Sequence, residues 1–426
     1  MYKRYSKYKD SGIEWVGDIP EQWDVKKLKF LMMNLDSRRI PLSSEERAEM
    51  RGDYPYYGSN GIVDHVNNFL FDGEYILLGE DGAPFFEAYK DVAFLVDGKF
   101  WANNHAHILK AFKGYNQRFL TYALNSVDYL RHITGSTRDK LTQDDMVSIQ
   151  FPVPDENEQN KIAVYLSNKT SQIDDLIAKK ESMIELLKEE RAAVINNAVT
   201  KGLNPDAKVK DPGIEWLGEI PTHWRIKRIK YNALINRETL PETTDDNYEF
   251  NYIDIGNVNL EEGYKLNDKL RFAMAPSRAR RFVKIGDTIV STVRTYLKAI
   301  TFFDEHVQDL IVSTGFAVLS PKDAILPKYL YYILRSEKFI DRICALSVGV
   351  SYPAINADDI SNIYTWYPAD KKEQMEIVNY LDDILAKNKS IISRLQSEIE
   401  LLKEYRTALI SEVVTGKIDV REAVKC

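Results

Sequence analysis

The chain of 426 residues lacks several features that would each assign it to a class of protein. Its two cysteines, Cys344 and Cys426, are too few for a disulfide framework or a cysteine-cluster metal site, so we expect a reducing cytoplasm. No apolar run approaches the roughly 18 residues that a membrane-spanning helix needs, and the basic N-terminus lacks the apolar stretch of a secretory signal. The net charge of −7 argues against a nucleic-acid coat protein, although DNA binding requires only local positive charge.

Sequence motifs of catalysis and metal binding are also missing. There is no glycine-rich phosphate loop with Lys-Ser/Thr, and the tetrapeptide of amino-group DNA methyltransferases (Asn or Asp, two prolines, an aromatic) does not occur. His105 and His107 form the one close histidine pair, without an acidic or cysteine partner at metal-ligand spacing. We therefore predict no catalytic residue, no metal and no cofactor in this chain.

What the sequence does contain is an internal duplication. Residues Tyr8–Trp23 (YKDSGIEWVGDIPEQW) match Val209–Trp224 (VKDPGIEWLGEIPTHW) at an offset of 201 residues (209 − 8). We expect the tryptophans to pack the start of each half onto its body. The segments between the repeats are dissimilar, which indicates one scaffold used for two different recognition tasks.

A second repeat closes each half, at an offset of 215 residues (373 − 158). It opens on Glu158-Gln159 and on Glu373-Gln374, and it carries LLKEER at Leu186–Arg191 onto LLKEYR at Leu401–Arg406. Thr-Lys-Gly or Thr-Gly-Lys follows shortly afterwards in each copy. The shared frames therefore enclose the variable middles on both sides.

The closing repeats predict two long helices of about 40 residues, or roughly 60 Å each. Apolar residues recur every seven positions, as in a coiled coil, and a polar Asn388 or Lys180 interrupts each series. One seam contains Leu166, Ile173, Leu187 and Val194 in the first copy and Leu381, Leu395, Leu402 and Leu409 in the second. A second seam, three positions further on, contains Leu176, Met183, Ile384, Ile391 and Tyr405. Because such stripes must be buried, we predict that the two helices pair antiparallel within the chain.

The variable middles combine strand-like and helix-like segments, so the predicted fold class is α+β. The segment from Tyr54 to Gly61 is typical of a tight turn. Thr142 and Asn356 stand at helix N-cap positions, with Asp145 and Asp359 three residues later. We interpret these acids as parts of helix starts rather than as metal ligands.

Candidate DNA-binding residues are polar or basic groups on turns, together with one basic stretch. Residues 265–298 carry nine Lys and Arg residues against two acids, a pattern that suits either phosphate contacts or a solvated loop. The candidates in the first middle are Tyr57, Ser59, Asn60, Ser136, Arg138 and Lys140. Those in the second middle are Arg278, Arg280, Arg281, Arg294 and Tyr352.

The whole arrangement resembles the specificity subunit of type I restriction–modification enzymes. The resemblance is carried by GIEW-x-G-[DE]-IP-x-x-W at Gly12 and at Gly213, by the run from Gly135 to Ile162, and by the repeated LLKE-x-R helix. It extends over essentially the whole chain, and two copies in the same order make it specific. The second copy departs from the pattern at residues 349–353 and 366–368, as expected of a different recognition domain.

The resemblance implies two mixed α/β target-recognition domains, at residues 1–154 and 204–368, that each read half of a bipartite DNA sequence. Spacer helices at 155–203 and 369–426 would form the antiparallel coiled coil of an internal pseudo-twofold repeat. The family's partners are two methyltransferase subunits, which supply S-adenosylmethionine, and restriction (translocase–nuclease) subunits. Two alternatives stay open: a coiled-coil scaffold that binds only proteins, and the specificity subunit of a methylation-only system.

Overall fold

The computed structural model describes residues 3–87, 89–134 and 139–423. The chain divides into two compact units, of which unit 1 comprises residues 1–181 and 395–426 and unit 2 comprises residues 182–394. Ser136 and Arg138, two of the candidate DNA-binding residues, lie outside the described residues. Within the described part of the chain, no helix is both long and apolar enough to cross a lipid bilayer.

Strands and helices alternate along both halves of the chain. The strands of the first half are β1 (Tyr8–Asp10), β2 (Asp18–Pro20), β3 (Asp24–Lys27), β4 (Met32–Asn34), β5 (Arg51–Gly58), β6 (Gly61–Val66), β7 (Phe71–Asp72), β8 (Tyr75–Gly79), β9 (Ala93–Val96), β10 (Lys99–Ala102), β11 (Ala106–Ala111), β12 (Ile133–Thr134), β13 (Lys140–Leu141) and β14 (Gln150–Val153). Those of the second half are β15 (Val209–Lys210), β16 (Ile220–Pro221), β17 (Trp224–Arg228), β18 (Ala233–Ile235), β19 (Glu249–Ile253), β20 (Val258–Asn259), β21 (Gly263–Tyr264), β22 (Leu270–Arg271), β23 (Ala279–Phe282), β24 (Thr288–Ser291), β25 (Ile300–Phe302), β26 (Leu310–Ser313), β27 (Phe316–Pro321) and β28 (Tyr364–Pro368). The helices are α1 (Ser44–Glu49), α2 (Gln117–Asn125), α3 (Gln143–Ser148), α4 (Glu156–Lys201), α5 (Ile229–Asn232), α6 (Pro327–Arg335), α7 (Glu337–Leu346), α8 (Ala357–Asn362) and α9 (Lys371–Val414).

Both units contain the same pair of four-stranded sheets, although their sequences differ. The first sheet is antiparallel, with strand order β4-β11-β8-β9 in unit 1 and β18-β27-β24-β25 in unit 2. The second sheet has the order β6-β5-β10-β7 or β22-β19-β26-β23, and its two central strands are parallel in each unit. This repeated topology confirms the predicted mixed α/β fold and the internal repeat.

The central strands of the first sheet are buried on both faces, so they are apolar throughout rather than alternating. In β8, Ile76 and Leu78 face a core shared with α2, whereas Tyr75 and Leu77 face a core shared with β10. Strand β27 divides its side chains between two cores in the same way. The first sheet therefore lies between helices on one face and the second sheet on the other.

Two local predictions in the variable middles have opposite outcomes. Thr142 and Asn356 do cap α3 and α8, because their side chains accept the N–H groups of Asp145 and Asp359 at 3.2 and 2.8 Å. The turn predicted from Tyr54 to Gly61 is wrong in extent, since β5 continues to Gly58 and β6 begins at Gly61. The tyrosines of this segment favour strand, and only residues 59 and 60 make the turn.

The long helices α4 and α9 pack antiparallel. In unit 1 one core contains residues from the beginning of α4 and the end of α9: Leu166, Ile173, Leu409 and Val413. In unit 2 another core contains residues from the end of α4 and the beginning of α9: Ile195, Val199, Ile377 and Leu381. Ion pairs reinforce the pairing, as between Lys180 and Glu398 at 2.5 Å.

The predicted seams of these helices differ in outcome. The first-seam residues Leu166, Ile173, Leu381, Leu395 and Leu409 are buried, and Leu187 and Leu402 are half-buried. The second seam was wrong by one position, because four of its five predicted members, Leu176, Met183, Ile391 and Tyr405, are exposed and Ile384 is only half-buried. The residues buried there are Ile184, Leu385 and Ile399, with Ile177 half-buried. Within each heptad the second-seam residue therefore follows the first-seam residue by four positions, rather than by three.

The repeated Glu-Gln pair ties each long helix to the domain before it. Gln159 donates to the Pro154 carbonyl at 2.9 Å and accepts the N–H of the N-cap residue of α2 at 2.9 Å. Gln374 makes the same two bonds in unit 2, to the Pro368 carbonyl and from the N-cap residue of α6, at 2.9 and 2.8 Å. One glutamine thus fixes a strand end, a helix start and the long helix together.

The glycine after each long helix explains why the closing repeat ends on Thr-Lys-Gly or Thr-Gly-Lys. Gly202 and Gly416 both have φ of +75°, a left-handed conformation that is common at helix C-termini. A Cβ at either position would come within 3.3 Å of a tryptophan ring, that of Trp224 or Trp23. Both tryptophans are buried, in agreement with their predicted packing role.

Candidate nucleic-acid interface

In each unit, a loop that follows the central strand of the first sheet lies beside a hairpin that precedes the last short helix. In unit 1 the loop is Glu80–Ala83, after β8, and the hairpin is formed by β12 and β13. In unit 2 the loop is Thr292–Lys298, after β24, and the hairpin spans residues 347–355. We call each loop and its hairpin the paired loops of that unit.

Equivalent backbone contacts hold both sets of paired loops. In unit 1 the Glu80 N–H donates to the His105 carbonyl, and the Leu141 N–H donates to the Glu80 carbonyl, both at 2.8 Å. The equivalent bonds in unit 2 run from Thr292 to Gly315 at 2.8 Å and from Ile355 to Thr292 at 2.9 Å. An isolated bridge joins loop to hairpin in each unit, between Asp81 and Lys140 or between Val293 and Ala354. These hydrogen bonds and the bridge therefore form the same backbone frame in both units, although the side chains on it differ.

The paired loops of unit 2 present two exposed cations, Arg294 and Lys298. Arg294 and Lys298 both adopt left-handed backbone conformations, with φ of 51° and 54°, which cost non-glycine residues about 1 kcal/mol or more each. The Arg294 N–H donates to the Pro353 carbonyl at 2.7 Å, and its guanidinium lies 4.5 Å from the centre of the Tyr352 ring. Neither cation forms an ion pair within the part of the chain that the structure describes.

Exposed apolar and aromatic groups surround these cations. Tyr352 is 62% exposed and Val350 is fully exposed, and Tyr296, Leu297 and Val348 are exposed as well. Arginine can form bidentate bonds to guanine edges or contact phosphates, and apolar groups can contact thymine methyls. The surface thus combines the two kinds of group that a DNA-reading loop requires.

The other arginines predicted in unit 2 have partners within the domain. Arg281 is half-buried and donates to the Asn236 side chain at 2.6 Å and to the Phe316 carbonyl, and burial lowers its pKa. These bonds lie within the domain, so Arg281 contributes to its packing and is less available for a DNA contact than Arg294. Arg278 pairs with Asp254, and the Arg280 guanidinium lies 4.9 Å from the Phe272 ring centre.

Four of the nine cations in the basic stretch at residues 265–298 form ion pairs with acids that lie outside the stretch. The ion pairs are Lys265–Glu262, Arg271–Glu249, Arg278–Asp254 and Lys284–Glu238. Three of these four acids precede the stretch by more than ten residues, so a count along the sequence overstates its charge.

In unit 1, several predicted residues gather around the loop at Glu80–Ala83. The Asn60 amide donates to the Gly82 carbonyl at 3.1 Å, which holds the turn of Ser59 and Asn60 against this loop. Lys140 pairs with Glu80 at 3.2 Å. Tyr57, by contrast, is half-buried against Phe94 and Phe100, and burial raises its pKa.

A cluster of Asp36, Glu80 and His107 joins the paired loops of unit 1, with ligand-type atoms within 4.8 Å of one another. His107 Nδ1 lies 2.6 Å from the Asp36 carboxylate and Nε2 lies 2.9 Å from the Leu141 carbonyl. Arg39 pairs with both carboxylates, at 3.4 Å from Asp36 and 2.6 Å from Glu80.

This donor set fits an ion-pair network better than a metal site. Both ring nitrogens of His107 are engaged, and the Arg39 guanidinium already pairs with both carboxylates. Burial raises the pKa of the Asp36 carboxyl, but the hydrogen bond and charge of His107, the N–H of Ile108 and the charge of Arg39 together outweigh it, and the net pKa is lowered. The expectation that this histidine has no acidic partner was wrong, because the acids come from distant parts of the sequence.

The family comparison identifies the architecture. A model of the type I restriction modification DNA specificity domain matches residues 20–186 and again residues 224–401. These two matches cover most of the chain, and each spans one recognition domain and part of the long helix that follows it. The chain therefore belongs to the type I restriction–modification DNA specificity family.

Individual relatives carry the same family name. A Haemophilus influenzae protein, named as a type I restriction enzyme specificity subunit, is 26% identical over 371 residues, covering 86% of this chain and 88% of the relative. The EcoDI specificity subunit of Escherichia coli is 22% identical over 426 residues, covering 94% of this chain and 90% of the relative.

Solved structures share the fold at lower identity. One chain from a type I restriction–modification system, in a study of its complex assembly and conformational transition, matches with TM-score 0.65 and 15% identity, covering 93% of this chain and 98% of that chain. The HsdS subunit of Thermoanaerobacter tengcongensis matches with TM-score 0.50 and 14% identity, covering 94% and 98%.

Proposed function

We propose that this chain reads a bipartite DNA target, with one half-site bound by the paired loops of each unit, and has no catalytic centre of its own. The observation that carries the proposal is that one frame occurs twice with different side chains. Equal frames suit the same task, and different side chains suit two different half-sites.

In unit 2, Arg294 and Tyr352 are the foremost candidates for base reading, and Lys298 for a phosphate contact. They are exposed, their cations are unpaired among the described residues, and backbone bonds hold their loop in place. In unit 1, Asn60 and Lys140 are the corresponding candidates. The overall charge of −7 does not oppose this role, because phosphate binding depends on the local cations.

Two methyltransferase subunits are the proposed partners of the long helices. Exposed apolar residues occur at matching positions of the two repeats, 215 residues apart: Leu176 with Ile391, and Leu186 with Leu401. Matching positions offer two similar docking surfaces, which suits two copies of one partner. These subunits would bring S-adenosylmethionine and methylate adenine, restriction subunits would complete the enzyme, and the complex would act in the cytoplasm.

The test is single-molecule sequencing of N6-methyladenine in the native genome, with and without the gene for this chain. We expect a gapped, two-part methylation motif to disappear with the gene, and an Arg294→Ala strain to change one half of that motif. If the purified methyltransferase complex binds DNA with no salt dependence and no motif changes, the protein-only scaffold is correct instead. Loss of the motif without any change in restriction of unmodified phage DNA would indicate a methylation-only system.

A further inference from the structure

We propose that the arginine of the repeated LLKE-x-R motif is a positioning residue that orients each recognition domain on a long helix. The arrangement is crosswise: Arg406, which follows the second domain in sequence, holds the first domain, and Arg191, which follows the first, holds the second. The contacts between these arginines and the domains are features of the fold and do not depend on the proposed function. Their effect on DNA recognition rests on the proposed function.

Arg406 contacts the first recognition domain through the two terminal nitrogens of its guanidinium. Its two terminal nitrogens lie 3.2 and 3.1 Å from the two carboxylate oxygens of Asp91, and Nε lies 3.0 Å from Asp174 on α4. Its side chain is only 18% exposed. A two-pronged arginine–carboxylate pair fixes direction as well as distance, which a lysine could not do.

Asp91 is well placed to transmit this orientation to the paired loops. It immediately precedes Val92 and Ala93, whose N–H groups are both accepted by the Asn125 side chain at 2.9 and 2.8 Å. The Val92 carbonyl in turn accepts the N–H of Gly79, the last residue of β8 before the paired loop. The arginine is therefore linked to the loop through two short hydrogen-bonded steps.

Arg191 makes the corresponding contact in unit 2. Its side chain is 12% exposed and pairs with Glu261, in the turn between β20 and β21. The same turn is held by Arg335 of α6, which donates to the Leu260 carbonyl at 3.0 Å. Two arginines from two helices thus hold one short turn of the recognition domain.

The acids that meet the two arginines are not equivalent. Asp91 lies before β9 of the first sheet, whereas Glu261 lies between β20 and β21. Dissimilar recognition domains therefore supply a carboxylate from different places to the same helix position. This is expected if the helix arginine is a fixed docking point for domains whose sequences vary.

The motif's own lysine provides a matched control. Lys188 and Lys403 are also 215 residues apart, and each pairs within its own helix, with Glu185 at 2.7 Å and with Glu400 at 2.9 Å. Neither of these pairs reaches a recognition domain. Replacing these lysines changes helix charge by the same amount as replacing the arginines, without touching the proposed contact.

The first experiment is hydrogen–deuterium exchange on the intact chain, which requires no DNA. Arg406→Ala and the isosteric Asp91→Asn should raise exchange at residues 89–93 by about tenfold or more, and leave residues 258–264 unchanged. Arg191→Ala and Glu261→Gln should do the reverse, while Lys188→Ala and Lys403→Ala should change neither. Equal effects on both segments from either arginine, or no effect from any variant, would overturn the proposal.

The second experiment sequences methylated DNA from strains that carry the same variants. Arg406→Ala should relax the half-site read by the first domain, and Arg191→Ala the half-site read by the second. If the exchange results are as expected but even the wild-type chain supports no methylation motif, the proposed function is wrong, whereas the positioning role of the two arginines is retained. Relaxation of the half-site read by the domain preceding the mutated helix in sequence would refute the crosswise arrangement.

Discussion

Replacing His107 by alanine should destabilise unit 1 by about 2.5–4 kcal/mol. The side chain is fully buried, and its two ring nitrogens lie within hydrogen-bond distance of the Asp36 carboxylate and of the Leu141 carbonyl. A hydrogen bond to a charged group contributes roughly 1.5–3 kcal/mol, and a buried carbonyl left without a donor costs about 1–3 kcal/mol. Arg39 stays 3.4 Å from Asp36 and limits the loss, so the lower half of the summed range is expected.

The assay is the denaturant dependence of hydrogen exchange in β8 and β11, compared with β24 and β27 as an internal control. A loss of less than about 1 kcal/mol in unit 1 would refute the reasoning, because it would mean that the network is easily replaced by water. Adding a metal chelator to the wild type should change nothing. If the chelator reproduced the effect of His107→Ala, the cluster would be a metal site and the network interpretation would be wrong.

The pH dependence of the same exchange follows from Asp36. Its pKa is lowered in the folded state, so the carboxylate contributes stability above its unfolded pKa of about 3.9. That stability is lost as the pH falls below about 4 and through the folded pKa. In the His107→Ala variant, the stability of unit 1 should fall less steeply as the pH decreases, since the bond from His107 is the main interaction that lowers the pKa of Asp36.

Three further predictions concern single residues. Arg294→Ala should reduce discrimination at one base pair by about 1–3 kcal/mol in competition binding at fixed salt, and unchanged binding to every sequence would contradict its role. Arg281→Ala should lower the stability of unit 2 by roughly 2–3 kcal/mol in the same exchange assay while leaving base preference unchanged, because its bonds are internal. Leu186→Glu and Leu401→Glu should each remove one of two methyltransferase subunits from the complex in native mass spectrometry, and retention of both by either variant would count against these surfaces.

The repeat, the helix caps and the pairing of the long helices could be predicted because each depends on local or periodic signals. The exact positions of the second seam could not be predicted, because apolar residues occur both at the predicted positions and one residue later, as at Leu176 and Ile177. The buried positions also include polar residues, among them Thr170, Arg191 and Arg406, which weaken their apolar period. Only the partner helix and the recognition domains decide which positions are covered.

The candidate interface was predictable only in part. The exposed positions of Arg294, Tyr352, Asn60 and Lys140 could be predicted, because turns at a protein surface favour polar and aromatic groups. The partial burial of Arg281 could not be predicted, because a buried arginine and an exposed one look alike in sequence. Most of the acids that pair with the basic stretch, like those around His107, are supplied by distant segments that only the fold brings near.

The backbone frame of the paired loops has a consequence for how specificity can change over time. Its key hydrogen bonds run between N–H and carbonyl groups, from Glu80 to His105 and from Leu141 to Glu80, with the same pair in unit 2. Mutations that exchange the outward side chains leave those bonds intact. Under the proposed function, a lineage would therefore acquire a new target without passing through unfolded intermediates.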